Sequence, residues 1–349
     1  MNTQSVLNNP TQTPAISESF NTFTHGSRNI FDLIGRFTQQ EDQENPDQII
    51  DLKDLRMNPE GNIVVPQNRE YALTPWSQKQ LATLVGIKWD KWFERANPEE
   101  QAEEINRRFT RYDQSIKLRT SRITGNNANG ILKAFVSPKY TPVKDSAIAR
   151  IMMESLRSFE SEFRIIRYDI TDRTISYVIG IGHTYQVGGP GEVGDIWGGI
   201  LVRNSGCGFA SLTIALHLTR LICRNGMTAP LPGSNLLHHR HTSGITDPKT
   251  FAFLEDKFRD VPTKLRQSGN IMLRANQTPV SNVEEMIQKI LGDSNLPKRM
   301  MEPILQAFAY EPRNNAFGVS SAITRAAQQF DPEDRLQLEE AASTYIQSM

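Results

Sequence analysis

Three extended runs in the middle of the chain limit its fold most strongly. Residues 163–170, 174–185 and 196–204 are rich in β-branched and aromatic side chains, and the connections between them are short. The turn Thr171-Asp-Arg173 joins the first two. The Gly-rich loop 187–195 joins the second and third. A parallel crossover needs about a dozen residues or more, so these connections predict antiparallel pairing. A helix is expected over 208–223, directly after the third run. Upstream, 131–137 reads as a strand. Asp145 opens a helix whose apolar face is Ile148, Ile151, Met152, Leu156 and Phe159. The order is strand, helix, then strand-strand-strand-helix. It predicts an α+β fold in which helices pack on an antiparallel sheet.

Helical sequence flanks this core. Thr74-Pro75 opens a helix that Gly86 closes. Asn97-Pro-Glu-Glu100 opens another with capping-box spacing, and Ala102, Ile105, Phe109 and Tyr112 share one face. Trp76, Trp89 and Trp92 are expected to pack around this helical pair. Ser281-Asn-Val-Glu284 reads as a capping box, Gly292 as a stop, and Asp331-Pro332 as the start of the final helix. One α+β domain is expected over 49–349, mainly helical from about 275. Residues 1–48 are rich in Asn, Gln, Ser and Thr and are expected to be a disordered tail. Within them, Asn29-Ile-Phe-Asp-Leu-Ile-Gly-Arg-Phe37 forms either a short docking helix or a transient turn, and the polar surroundings favour the turn.

Two cysteines, Cys207 and Cys223, cannot make a disulfide framework, which points to a reducing compartment. The N-terminal segment has no basic start followed by an apolar run, and no stretch reaches the ~20 apolar residues of a membrane helix. A cytoplasmic protein without a membrane partner is the expectation.

The candidate chemistries are sparse. No cysteine pair has the close spacing with which one turn supplies two metal ligands, and His238-His-Arg-His241 reads as a basic loop, so no metal is expected. Gly180-Ile-Gly182 and Gly188-Gly-Pro-Gly191 lead from strand to strand. A dinucleotide loop leads instead from strand to helix, so no nucleotide cofactor is expected. Glu255-Asp-Lys257 has the Glu-x-Lys spacing of one nuclease family. It falls in a segment with helical character, whereas that chemistry sits on a strand. No catalytic group and no cofactor follow from these patterns.

One stretch does stand out. The basic residues between 107 and 144 are Arg107, Arg108, Arg111, Lys117, Arg119, Arg122, Lys133, Lys139 and Lys144, against the single acid Asp113. The whole chain balances 39 basic residues with 39 acids. Tyr112, Phe135 and Tyr140 are interleaved. Cations that neutralise phosphates and aromatic faces that stack on bases are the means of binding single strands. Arg203, Arg220 and Arg224 are candidates to extend the same surface. The opposing reading is a solvated face balanced by acids from elsewhere, with Glu99, Glu100, Glu103 and Glu104 the nearest.

Four segments together resemble a known family. They are Gly194-Asp-Ile-Trp-Gly-Gly-Ile-Leu-Val-Arg-Asn-Ser205, Arg220-Leu-Ile-Cys-Arg-Asn-Gly-Met227, Ile131-Leu-Lys-Ala-Phe-Val-Ser-Pro-Lys-Tyr140 with Thr141-Pro-Val, and Asn314-Asn-Ala-Phe-Gly-Val-Ser-Ser-Ala-Ile-Thr-Arg325. Over roughly 70–345 the chain is similar to the phage- and plasmid-borne proteins called domain of unknown function 932. That family often has an acid after the Asn-Ser pair, where this chain has Gly206. The resemblance implies a mobile-element protein of bacterial cytoplasm and hands over no activity. The inferred strand-strand-strand-helix core is also similar in architecture to Rad52-type single-strand annealing proteins. The expectation is a protein that binds single-stranded DNA and anneals it as a homo-oligomer in replication or recombination. The alternatives are an interaction module for a host or phage protein and, third, a metal-dependent nuclease.

Overall fold

The computed structural model describes residues 30–88, 95–122, 129–157, 163–187, 194–220, 226–228, 234–246, 249–252 and 254–349. The chain divides into two units, where its sequence predicts one domain. The first comprises Gln40–Tyr140 and the turn Ile170–Arg173. The second comprises Thr141–Asp169 and Thr174–Met349, together with residues 30–39.

The chain enters through helix α1, Ile30–Glu41. Ile30, Leu33, Ile34 and Phe37 are buried at the spacing of one helical face. The Phe37 ring lies 5.9 Å from that of Tyr177, and Arg36 Nη1 donates to the Tyr168 hydroxyl at 3.0 Å. The turn favoured by composition is therefore a docked helix. Tertiary packing of four apolar side chains overrides the polar surroundings. Residues 1–29 of the expected disordered tail lie outside the described residues.

The first unit holds β1 (Gln48–Asp51), β2 (Arg56–Met57), β3 (Ile63–Val65), β4 (Arg69–Leu73), α2 (Pro75–Leu84), α3 (Pro98–Phe109), β5 (Ser115–Ser121) and β6 (Ile131–Val136). The sheet order is β1-β5-β6-β4-β3-β2, with β4 and β6 parallel and the other pairs antiparallel. Thr74 caps α2 as predicted, its hydroxyl accepting from Ser77 N at 3.1 Å. Asn97 and Glu100 form the predicted capping box on α3. Ile105, Phe109, Leu81, Leu118, Leu132 and Phe135 share this unit's core. Trp76 is half-buried, and Trp89 and Trp92 lie outside the described residues.

The β5–β6 pair carries a bulge that shapes the site. Arg119 pairs with Ala134 and Thr120 with Leu132, so Lys133 is the extra residue. A bulge puts two successive side chains on one face of the sheet. Leu132 and Phe135, three apart, both reach the core, while Lys133 is displaced to the face of Arg119.

The second unit is also α+β. It contains α4 (Asp145–Leu156), β7 (Phe163–Ile170), β8 (Ile175–Val187), β9 (Gly194–Asn204), β10 (Leu212–Arg220), β11 (Gly226–Thr228) and β12 (Asn235–His239). Helices α5 (Lys249–Ala252), α6 (Leu254–Arg259), α7 (Val261–Gln277), α8 (Val283–Asp293), α9 (Met301–Tyr310), α10 (Ala316–Ala327) and α11 (Pro332–Gln347) follow. The three predicted runs are β7, β8 and β9, adjacent in the order β11-β10-β9-β8-β7. The helix expected over 208–223 is instead the strand β10, so the core is not strand-strand-strand-helix. The first half of the outer edge of β10 pairs with β12 and the second half with β11. Leu336 of α11 packs with Ile166, Val178, Trp197 and Leu201. The next residue along β9, Gly198, faces the other way. A Cβ there would overlap Leu265 of α7, so its missing side chain lets that helix close on the sheet. Among the described residues no helix is long and apolar enough to cross a membrane.

Candidate nucleic-acid interface

The structure sorts the basic stretch of the first unit into two groups. Arg107 and Arg108 leave the last turn of α3 and both meet Glu104. Arg108 Nε bonds its carboxylate at 2.7 Å, and Arg107 Nε at 2.9 Å. Arg108 Nη1 also donates to the carbonyl of Val85 at 2.7 Å, closing the end of α2. The hydrogen bond from Arg108, reinforced by Arg107, holds the Glu104 carboxyl below its ordinary pKa against a smaller upward push from burial.

Arg119 and Lys133 meet on the face that the bulge creates. Arg119 is buried, 6 % exposed. It bonds Glu44 at 2.7 Å and Asp47 at 3.2 Å, while Lys133 Nζ reaches the other oxygen of Glu44 at 2.5 Å. Burial pushes the Glu44 carboxyl up, but Lys133 and Arg119 together outweigh it, and the net shift is down. Burial likewise disfavours the Arg119 charge, and Glu44 and Asp47 more than restore it. The balancing acids thus come from 44–47, a segment the sequence assigns to the tail. Glu99, Glu100 and Glu103, also candidates for that role, form none of these pairs.

Of the remaining cations, Arg111, Arg122 and Lys139 are exposed and Lys117 is half-buried. The Arg122 guanidinium donates to the main-chain oxygen of Asp42 at 3.2 Å. Among the described residues neither Arg111 nor Arg122 has an ion pair. Lys117 Nζ donates to the carbonyl of Tyr140 at 2.6 Å. Of the stacking candidates, Phe135 is buried in the core and is unavailable to a base, because the bulge turns it inward. Tyr112 is half-buried against the same core, and Tyr140 is half-buried.

Arg203 and Arg220 belong to the second unit. Arg203 pairs with Thr213 and Arg220 with Ile196, at opposite ends of the β9–β10 ladder. Seven positions along β10 separate Thr213 from Arg220, roughly 23 Å of strand, so the two arginines occupy distant register positions. The Arg203 guanidinium lies 5.8 Å from the centre of the Phe209 ring. Arg224 lies outside the described residues.

The other motifs have structural settings. Asn204 Nδ2 donates to Asp145 Oδ1 at 2.8 Å and to the carbonyl of Val143 at 3.2 Å, tying the end of β9 to the start of α4. Asn315 caps α10, its side-chain oxygen accepting from Gly318 N at 2.8 Å. Glu255 and Lys257 lie on the helix α6, and Lys257 donates to the carbonyl of Leu236 at 2.5 Å. Of the histidines, His238 bonds Thr213 Oγ1, His239 the carbonyl of Arg240 and His241 the carbonyl of Thr141. Among the described residues no group of three or more His, Cys, Asp or Glu is arranged to hold a metal.

The second unit also holds a buried ionic cluster that is not among the residues its sequence singles out. Arg167 and Asp169 project from β7 and His217 from β10, while Arg335 and Glu339 come from α11; all five are buried. Arg167 grips both oxygens of Glu339, and Arg335 bonds Asp169. Glu333, also on α11, accepts from Thr174 Oγ1 at 3.0 Å. The only sequence signal is a set of charged residues inside otherwise apolar runs.

No family model, curated protein or solved structure matches this chain.

Proposed function

We propose that the chain binds nucleic acid through the exposed cations of its first unit, with single-stranded DNA as the ligand and annealing as the activity to be measured next. One observation carries this reading: Arg111 and Arg122 are exposed and, among the described residues, make no ion pair, whereas Arg107, Arg108, Arg119 and Lys133 are paired with Glu104, Glu44 and Asp47. Arg107 is exposed beside its partner Glu104, Lys139 is exposed, and Tyr140 is partly exposed. Guanidinium groups in this state bind phosphate oxygens in pairs and release counterions as they do so. The resemblance to mobile-element proteins is compatible with the same role.

The test is fluorescence anisotropy of a labelled single-stranded oligonucleotide, titrated over a range of salt. Binding that weakens steeply as salt rises, and that R111E/R122E abolishes at low salt, is the expected result. Absence of binding at low salt overturns the reading and leaves a protein-interaction module as the function to pursue.

A further inference from the structure

The acids that neutralise Arg119 and Lys133 come from one short segment, residues 42–47, with the sequence Asp-Gln-Glu-Asn-Pro-Asp. Its main chain runs beside β5. Glu44 bridges to Ser121, Asn45 N donates to Thr120 O at 2.9 Å, and Arg122 N donates to Gln43 O at 2.7 Å. The Asn45 side chain adds a bond to Thr120 Oγ1 at 3.0 Å. The segment therefore prolongs β1 along the outer edge of the sheet, and Pro46, which has no N–H to give, interrupts the ladder between them. An edge segment held by a few hydrogen bonds beyond a proline can separate while β1 stays paired.

Two features make this contact more than a chance ion pair. The bulge at Lys133 brings two cations of adjacent strands to one face, and the segment meets them with Glu44 and Asp47 together. Carboxylate oxygens occupy the positions that phosphate oxygens would take on the same donors. Building on the nucleic-acid reading above, we propose that residues 42–47 form an acidic strap that occludes Arg119 and Lys133, and that a single strand displaces it to reach them. In the exchange, two carboxylates go to solvent and two phosphates replace them, so the cations stay neutralised throughout. The strap thereby restricts full binding to polyanions with at least two correctly spaced charges.

Two variants test the strap by the same anisotropy titration. E44Q/D47N keeps the side-chain shape and removes the competing charge. It is expected to bind about tenfold tighter at low salt. Its log–log salt slope is expected to match that of wild type, because both make the same phosphate contacts once the strap is displaced. N45C/T120C places a disulfide where the two side chains already touch, and so pins the strap. The oxidised form is expected to bind more weakly than the reduced form, with reductant restoring affinity. Because the lock holds the observed arrangement, this variant remains informative if E44Q/D47N unfolds. If wild type binds, and the locked and reduced forms bind alike, the strap is overturned while the nucleic-acid reading stands. If wild type, E44Q/D47N and reduced N45C/T120C all fail to bind at low salt, the nucleic-acid reading falls and takes the strap with it.

Discussion

Arg167 and Glu339 meet as a two-pronged ion pair, with Nη1 2.7 Å from Oε1 and Nη2 3.0 Å from Oε2, across 172 residues of chain. The pair joins β7 to the last helix. Burial pushes the Glu339 carboxyl up, and the Arg167 guanidinium beside it more than reverses the shift. Desolvation offsets much of the attraction in such a pair, but removing one partner strands the other charge in the interior. E339A is therefore expected to lower unfolding free energy by about 3–5 kcal/mol in urea titrations. R167M/E339L, which removes both charges, is expected to recover most of that loss. Equal losses in the two variants would mean that packing, and not charge, binds α11 to the sheet.

His217 sits in the same cluster, 1 % exposed. Burial drives its pKa from 6.5 down to about 4; Glu339 opposes the shift, and Arg167 and Arg335 add to it. The folded pKa lies below the unfolded one, so between these two values the unfolded chain takes up the proton first. Stability is therefore lost as pH falls from about 6.5 towards 4, by on the order of 3 kcal/mol for this group. H217N is expected to remove that share of the acid sensitivity in unfolding curves measured across the window. In wild type, the His217 imidazole signals are expected to stay in their neutral positions down to about pH 5.

Much of this architecture is legible in the sequence, and the failures have physical causes. The runs that became β7, β8 and β9, and the caps at Thr74, Asn97 and Asp331, rest on local chemistry, and each appears as read. Strand β10 reads as a helix because Leu212, Ile214, Ala215, Leu216, His217, Leu218 and Thr219 are all buried. A strand covered on both faces shows no alternation, so period alone cannot separate it from a buried helix. The β3–β4 hairpin escapes notice because its left-handed positions are Gln67 and Asn68, with φ of 74° and 56°, without a glycine to mark the turn. The cap of α8 is Asn282, one residue beyond Ser281, because the Asn side chain reaches Glu285 N. In the basic stretch, residue type and density are visible from the sequence. Which cations meet acids depends on long-range pairing, as between Glu44 and Lys133, and local sequence carries no trace of it.

Charge reversals in the first unit are expected to separate into two classes by their effect on folding. Arg111 and Arg122 are exposed and without ion pairs among the described residues, so R111E/R122E is expected to change stability by about 0.5 kcal/mol or less. Arg119 is buried between Glu44 and Asp47, and R119E would place a third carboxylate among them. A loss of at least about 3 kcal/mol is expected, read from the denaturation midpoint. Binding data from Arg119 variants therefore need a stability measurement beside them, whereas Arg111 and Arg122 report on the ligand directly.

Two glycines in helices are expected to respond to alanine with opposite signs. Gly318 lies in the first turn of α10, where Asn315 caps its amide. A Cβ there would run into the main-chain carbonyl of Arg313, which cannot rotate away as a side chain could. G318A is expected to cost about 1–3 kcal/mol, as overpacking does. Gly292, near the end of α8, has open space around its Cα, so G292A adds helix propensity at no steric cost. That variant is expected to stabilise by up to about 1 kcal/mol. Thermal melts of the two proteins side by side measure the contrast. The motif around Asn315 and Gly318 then has a structural explanation in the entry of α10, and a G318A protein as stable as wild type would remove it.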